Sequence, residues 1–244
     1  MVIFDSVSKI YGNGTVALDK VSFAVGVGEF AIISGPSGSG KTTLMKLIIK
    51  EVDPTHGKIV IDGDDIAEIP SKSTHLLRRK VGVIFQDAKL LEGKTVAENV
   101  DIVLEIMGLS DSEIIKRRND LLELTGISHH SSDFPSQLSG GEAQRLGIAR
   151  ALSTQPKVLF ADEPTGNLDP ATAKDIIGLL QDINTQGTTV LMATHDLDYV
   201  KHIKAHRLVL TKGVLTSDSS THHGSSHHNP KETEKETPDE DKKT

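Results

Sequence analysis

The chain has 244 residues, 36% of them hydrophobic and 25% charged, which allows one large α/β domain or two small ones around a real core. A net charge of −7 and only 3% aromatic residues argue against a nucleic-acid partner, which calls for a basic face and stacking rings. The absence of cysteine excludes disulfides and thiolate metal sites and suits a reducing compartment.

At the start, Met1-Val2-Ile3-Phe4-Asp5 turns acidic at once and lacks the basic and apolar stretches of a signal peptide. No apolar run is long enough to span a bilayer, so a membrane role requires action from outside it. Four short apolar runs then organise the chain: residues 30–33, 81–85, 158–161 and 190–193. Continuous runs of this length suit strands buried on both faces of a parallel sheet. Each ends in polar residues, and in such sheets ligands sit beyond the carboxyl ends of the strands.

The first run leads into Gly35-Pro36-Ser37-Gly38-Ser39-Gly40-Lys41-Thr42-Thr43, which fits the phosphate-loop pattern G-x-x-x-x-G-K-S/T ahead of a helix expected over residues 42–50. Glycines let backbone N–H groups turn inward onto phosphate oxygens, and the helix start adds partial positive charge. Lys41 supplies a cation for the β- and γ-phosphates, and the Thr42 hydroxyl can ligate Mg²⁺. A chance glycine-rich turn would not bring both a strand before and a helix after.

The second run delivers Gln86. The third delivers Asp162 and Glu163 from a strand expected beside the phosphate loop. Asp162 is placed to hold Mg²⁺ through water, and Glu163 to orient and deprotonate an attacking water. A pair of surface carboxylates is the bland alternative. The turn residues Pro164-Thr165-Gly166 after an apolar run favour the site. The fourth run delivers His195, as an ordinary strand-end histidine or as a γ-phosphate sensor. From Ser217 to Thr244 no aliphatic residue remains, and this segment is expected to be a disordered polar tail following a domain over residues 1–216. Its histidines His222, His223, His227 and His228 could meet a metal, but an unstructured tail holds ligands poorly.

Leu138-Ser139-Gly140-Gly141-Glu142-Ala143-Gln144-Arg145 resembles the signature motif of the ABC ATPases, and it precedes a helical stretch expected over residues 142–152. Ala143 departs from the common glutamine, a change that bears on helix packing more than on ATP contact. The resemblance covers residues 1 to about 215. It implies a P-loop nucleotide-binding domain with a mostly parallel core sheet, an N-terminal antiparallel β part and an inserted α-helical subdomain over about residues 87–150. It further implies that Tyr11 stacks on adenine, that Gln86 reaches Mg²⁺ and reports to a membrane partner, and that His195 is the switch histidine. Asn167-Leu168-Asp169 would cross between two sites, with Asp169 near nucleotide. Each ATP, with Mg²⁺, would lie between the phosphate loop of one subunit and Ser139, Gly140, Gly141 and Glu142 of the other. A homodimer on ATP binding, an integral membrane permease as partner, and a position on the cytoplasmic membrane face follow from the same resemblance.

Three segments, residues 47–51, 85–91 and 161–169, resemble the cell-division branch of that family. The last also occurs in lipoprotein-releasing and macrolide-export ATPases, so an exporter subunit is the alternative. A soluble ABC protein acting on ribosomes or DNA would usually carry two nucleotide domains or a long coiled-coil insert.

Overall fold

In the computed structural model, which describes residues 1–220, the chain opens with β1 (Val2–Ile10), β2 (Val16–Val25) and β3 (Phe30–Ser34), followed by α1 (Lys41–Ile48). Next come β4 (His56–Ile61), β5 (Asp64–Asp65), α2 (Thr74–Lys80) and β6 (Val81–Ile84). Helices α3 (Val96–Ile106), α4 (Asp111–Leu124) and α5 (Gly140–Leu152) separate β6 from β7 (Val158–Asp162). The chain continues through α6 (Pro170–Thr185), β8 (Thr189–Thr194), β9 (His206–Thr211) and β10 (Val214–Asp218).

All four apolar runs are strands of one six-stranded sheet, in the order β10-β9-β3-β8-β7-β6. Pairing is parallel from β9 through β6, and only β10 runs antiparallel to its neighbour. A separate four-stranded antiparallel sheet, β2-β1-β4-β5, is built on the β1–β2 hairpin.

The parallel strands read as continuous apolar runs because both faces are covered. Along β3, Phe30 and Ile32 enter one core while Ala31 and Ile33 enter the other. Leu159 and Ala161 alternate in the same way with Val158 and Phe160, and Val190 and Met192 with Leu191 and Ala193. The first core is closed by α3–α6, and the second by α1 and the antiparallel sheet. Phe160 is fully buried, and truncating such a ring to alanine costs about 3–5 kcal/mol.

Strand β7 reaches the phosphate loop as expected: β8 separates it from β3 in the sheet, and Thr42, at the start of α1, bonds Asp162 at its carboxyl end. Other details differ from what the sequence predicts. Helix α5 begins at Gly140, ahead of the expected 142, because Ser139 caps it. The expected tail boundary is too early: Ser217 and Asp218 pair with Val209 and Leu208 in the β9–β10 ladder. An acidic side chain is held there because Asp218 Oδ1 lies 2.6 Å from Nε2 of the buried His206. The four histidines at 222, 223, 227 and 228 lie outside the described residues. Among the described residues no helix is long and apolar enough to cross a membrane.

Candidate active site

The phosphate loop is shaped by what its glycines avoid. Gly40 caps α1 with φ 111°, and a Cβ there would stand 2.7 Å from the Ala17 carbonyl oxygen, so only glycine fits. Among the described residues no side chain caps this helix start, which leaves its N–H groups open to an anion. Lys41 is folded back into the loop: its Nζ donates to the carbonyls of Gly35 at 2.8 Å and Pro36 at 3.2 Å, and lies 3.3 Å from Glu163 Oε1. Only 6% of the Lys41 side chain is exposed.

Opposite it, the Thr42 hydroxyl donates to Asp162 Oδ2 at 3.0 Å. The other carboxylate oxygen, Oδ1, is buried and has no hydrogen-bond partner among the described residues. Burial raises the Asp162 pKa above the usual carboxylate range, the Thr42 bond and Lys41 oppose the shift, and Glu163 adds to it. A buried, half-satisfied carboxylate beside a threonine hydroxyl is a donor set that fits a hard divalent cation such as Mg²⁺.

Glu163 holds φ at +50°, an unusual conformation for a residue other than glycine and one that costs on the order of 1–3 kcal/mol. Its neighbours enforce it: the Glu163 N–H donates to the Ala193 carbonyl at 2.9 Å, and its own carbonyl accepts from the Gly166 N–H at 3.1 Å. The side chain is thereby aimed across the sheet end, where Oε2 meets His195 Nδ1 at 2.6 Å and the His195 N–H at 3.3 Å. His195 itself is 58% exposed.

Lys41, Thr42, Glu163 and His195 line one cavity of ≈ 620 Å³ with Tyr11, Ser37, Gly38, Gly40, Thr43 and Gln86, and Asp162 stands behind Thr42 without lining it. The Tyr11 hydroxyl lies 3.5 Å from the Thr43 hydroxyl. Thr15, Val16 and Ala17, from the β1–β2 turn and the start of β2, line the same cavity, and no motif in the sequence points to them. The available signal is Gly12-Asn13-Gly14, a turn sequence between two strands.

The structure does not bring Ser139, Gly140, Gly141, Glu142 or Asp169 into that cavity. They stand at two other helix starts. Ser139 and Glu142 form a capping box on α5: Glu142 Oε2 accepts from the Ser139 N–H at 2.8 Å and from its hydroxyl at 2.7 Å. These two bonds, with a smaller contribution from His130, lower the Glu142 pKa to about 2. Asp169 caps α6, where its Oδ1 accepts from the Ala171 and Thr172 N–H groups at 3.0 and 3.1 Å. The Thr172 hydroxyl also donates to Asp169, and this bond leads the causes that hold its pKa low.

The Q-turn after β6 is gripped by the signature helix. Gln144 donates to the Phe85 carbonyl at 3.2 Å and Arg150 to the Lys89 carbonyl at 2.8 Å, so Gln86 sits between two anchors from α5.

Comparison with known proteins decides what this arrangement is. The family model described as ABC transporter matches residues 18–166, more than half of the chain. The chain belongs to the ABC transporter family. It is 45% identical over 220 residues to the cell division ATP-binding protein FtsE of Bacillus subtilis, covering 90% of this chain and 96% of that one. It is 46% identical over 215 residues to FtsE of Escherichia coli K12, covering 88% and 97%. Among solved structures, cbiO1 from Clostridium perfringens, part of the ABC transporter complex cbiONQ, superposes with a TM-score of 0.84 at 32% identity, covering 89% and 87%. A dimeric post-hydrolysis state of the ATP-binding cassette MJ0796, bound to ADP and Pi, gives 0.82 at 33% identity, covering 90% and 98%. As an ABC ATPase, the chain binds and hydrolyses ATP.

Proposed function

We infer that two copies of this chain close face to face around two ATP molecules and that hydrolysis lets them part, driving a membrane partner. One observation carries the reading: the helix start at Ser139–Glu142 lies outside the cavity that gathers Lys41, Thr42 and Glu163. A second chain supplies that helix start to the phosphates, and the dimeric form of the similar MJ0796 cassette supports this.

In each site Tyr11 stacks on the base, the phosphate-loop N–H groups and Lys41 hold the phosphates, and the partner's signature segment closes over them. Asp162, Thr42 and Gln86 are the residues that would hold Mg²⁺, which neutralises charge on the phosphates when bound. Glu163 orients the attacking water and takes its proton, and His195 fixes the carboxylate through the 2.6 Å bond. Asp169 stiffens the turn that crosses toward the second site.

The similarity to FtsE proteins over nearly their whole length supports a cell-division role. In that role the membrane partner is an FtsX-like permease, the chain sits on the cytoplasmic face of the membrane, and the cycle regulates cell-wall hydrolysis. The test is to purify tagged Glu163→Gln protein from native membranes with ATP and identify what co-purifies by mass spectrometry. A small permease with an extracytoplasmic domain is the expected result. A lipoprotein or drug-exporter permease would overturn the division role and leave the ATPase chemistry standing.

A further inference from the structure

Beside the signature segment stands a second cluster, which shares Glu142 with it and adds two histidines that ATP chemistry does not use. The turn at Ser128–His130 presents two consecutive histidines whose ring centroids are 4.1 Å apart. His130 Nδ1 lies 2.6 Å from Asp133 Oδ2, and its Nε2 lies 2.9 Å from Glu142 Oε1. One ligand atom each from His129, His130 and Glu142 falls within 4.8 Å of the others.

We propose that His129, His130 and Glu142 form a transition-metal site, of the kind that takes Zn²⁺, which locks the signature helix to the turn before it. Two imidazole nitrogens and one carboxylate oxygen are a borderline-soft set of the type Zn²⁺ prefers, with water completing four-coordination. Asp133 supports the site from behind, because a carboxylate on Nδ1 fixes the tautomer and leaves Nε2 as the ligand. Glu142 divides its labour between its two oxygens. Oε2 serves the Ser139 cap, while Oε1 faces His130 and is available to the metal. Ligands around tetrahedral zinc lie about 3.3 Å apart, so the cluster must contract by roughly 1.5 Å at its widest. His129 is exposed, so a rotamer change there meets little packing resistance and supplies that movement.

The consequence follows from connectivity. Glu142 is in the first turn of α5 and holds Ser139, whereas His129 and His130 belong to the preceding turn. A metal joining them pins the signature serine to the Ser128–His130 turn, so occupancy of the site restrains the segment that must meet the partner chain's nucleotide.

The test is Co²⁺ titration without nucleotide, read by visible absorption and followed by Zn²⁺ competition. It uses the full-length chain with His222, His223, His227 and His228 replaced by alanine, so that these four cannot contribute. The expected result is one Co²⁺ per chain with a low-symmetry d–d band, displaced by Zn²⁺. His129→Ala should weaken affinity at least tenfold, and His130→Gln should abolish the band with circular dichroism unchanged. Failure of the parent to bind Co²⁺, or equal binding by parent and His129→Ala, would overturn the site. Neither readout involves ATP, so the outcome is independent of the reading above.

Discussion

Glu163 grips His195 through a 2.6 Å contact between Oε2 and Nδ1, while its other oxygen lies 3.3 Å from Lys41. One carboxylate thus links Lys41, which we propose meets phosphate, to the residue at the end of β8. When a γ-phosphate takes Lys41, the Glu163 carboxylate loses a cationic partner and keeps its orienting histidine. The same geometry predicts which changes separate binding from turnover.

Replacing Glu163 with glutamine keeps the shape of the side chain and removes its basicity. Turnover should fall by roughly 100-fold or more while ATP affinity is retained. Phosphate release and fluorescent-nucleotide titration on the same preparation check this. Turnover near the unmodified rate would remove Glu163 from the proton-accepting role.

Lys41→Ala removes the cation that the loop folds around. A hydrogen bond to a charged group contributes about 1.5–3 kcal/mol, so ATP affinity should drop by roughly 10- to 100-fold. An unchanged Kd in equilibrium titration would contradict the assignment of the loop.

Asp162 carries the opposite lesson. Its pKa is raised by burial, so the ionised form is disfavoured in the folded chain. A raised acid stabilises the fold while protonated and loses that contribution as pH rises through its folded value. The ionised carboxylate therefore works against folding, and Asp162→Asn should raise Tm, by about 2–4 °C for each kcal/mol gained. Mg²⁺-dependent turnover should collapse in the same variant. A lower Tm in differential scanning calorimetry would show that the carboxylate is well solvated.

The Glu142–His130 contact has a defined pH window. Glu142 is lowered to about 2, chiefly by the Ser139 hydroxyl and N–H and to a smaller degree by His130, and the smaller His130 share is present above the ordinary glutamate value of about 4.3 and lost as pH falls through the folded pKa. His130 is raised, chiefly by Asp133, so its contribution is complete below about 6.5 and is lost as pH rises through its folded pKa. The stability difference between the unmodified chain and His130→Gln should peak between roughly pH 4.5 and 6.5. Urea unfolding across that range tests it, and a flat difference would mean solvent screens the pair.

Ser139→Ala removes a capping hydroxyl, which costs about 1 kcal/mol. A Tm lower by about 2–4 °C is expected for a domain of this size. Gly140 and Gly141 should then present a frayed helix start, which nucleotide-dependent pairing would register as weaker association.

The proposed catalytic elements are legible in the sequence because they are local. A phosphate loop, an acidic pair and a strand-end histidine are each spelled in consecutive residues, and apolar runs buried on both faces mark their strands. What is not legible depends on residues distant in the chain. That β8 lies between β3 and β7 is a matter of sheet order, which no local pattern records. That Ser217 and Asp218 continue the sheet depends on His206, a buried histidine whose Nε2 meets the Asp218 carboxylate. Asp169 reads as a nucleotide neighbour, and its second role, capping α6, is one that the Asp169-Pro170 pair marks as a helix start. The junction of His130 with Glu142 spans a bend and two short turns that spacing alone does not close.

The central claim is that ATP joins two copies of this chain through the signature segment. The most direct measurement is the mass of purified Glu163→Gln protein by light scattering, with and without ATP, alongside the same variant carrying Ser139→Arg. The account predicts a doubling of mass with ATP that is lost when Ser139 is replaced. A chain that binds ATP yet stays monomeric, or one that pairs equally well with Ser139→Arg, would contradict it.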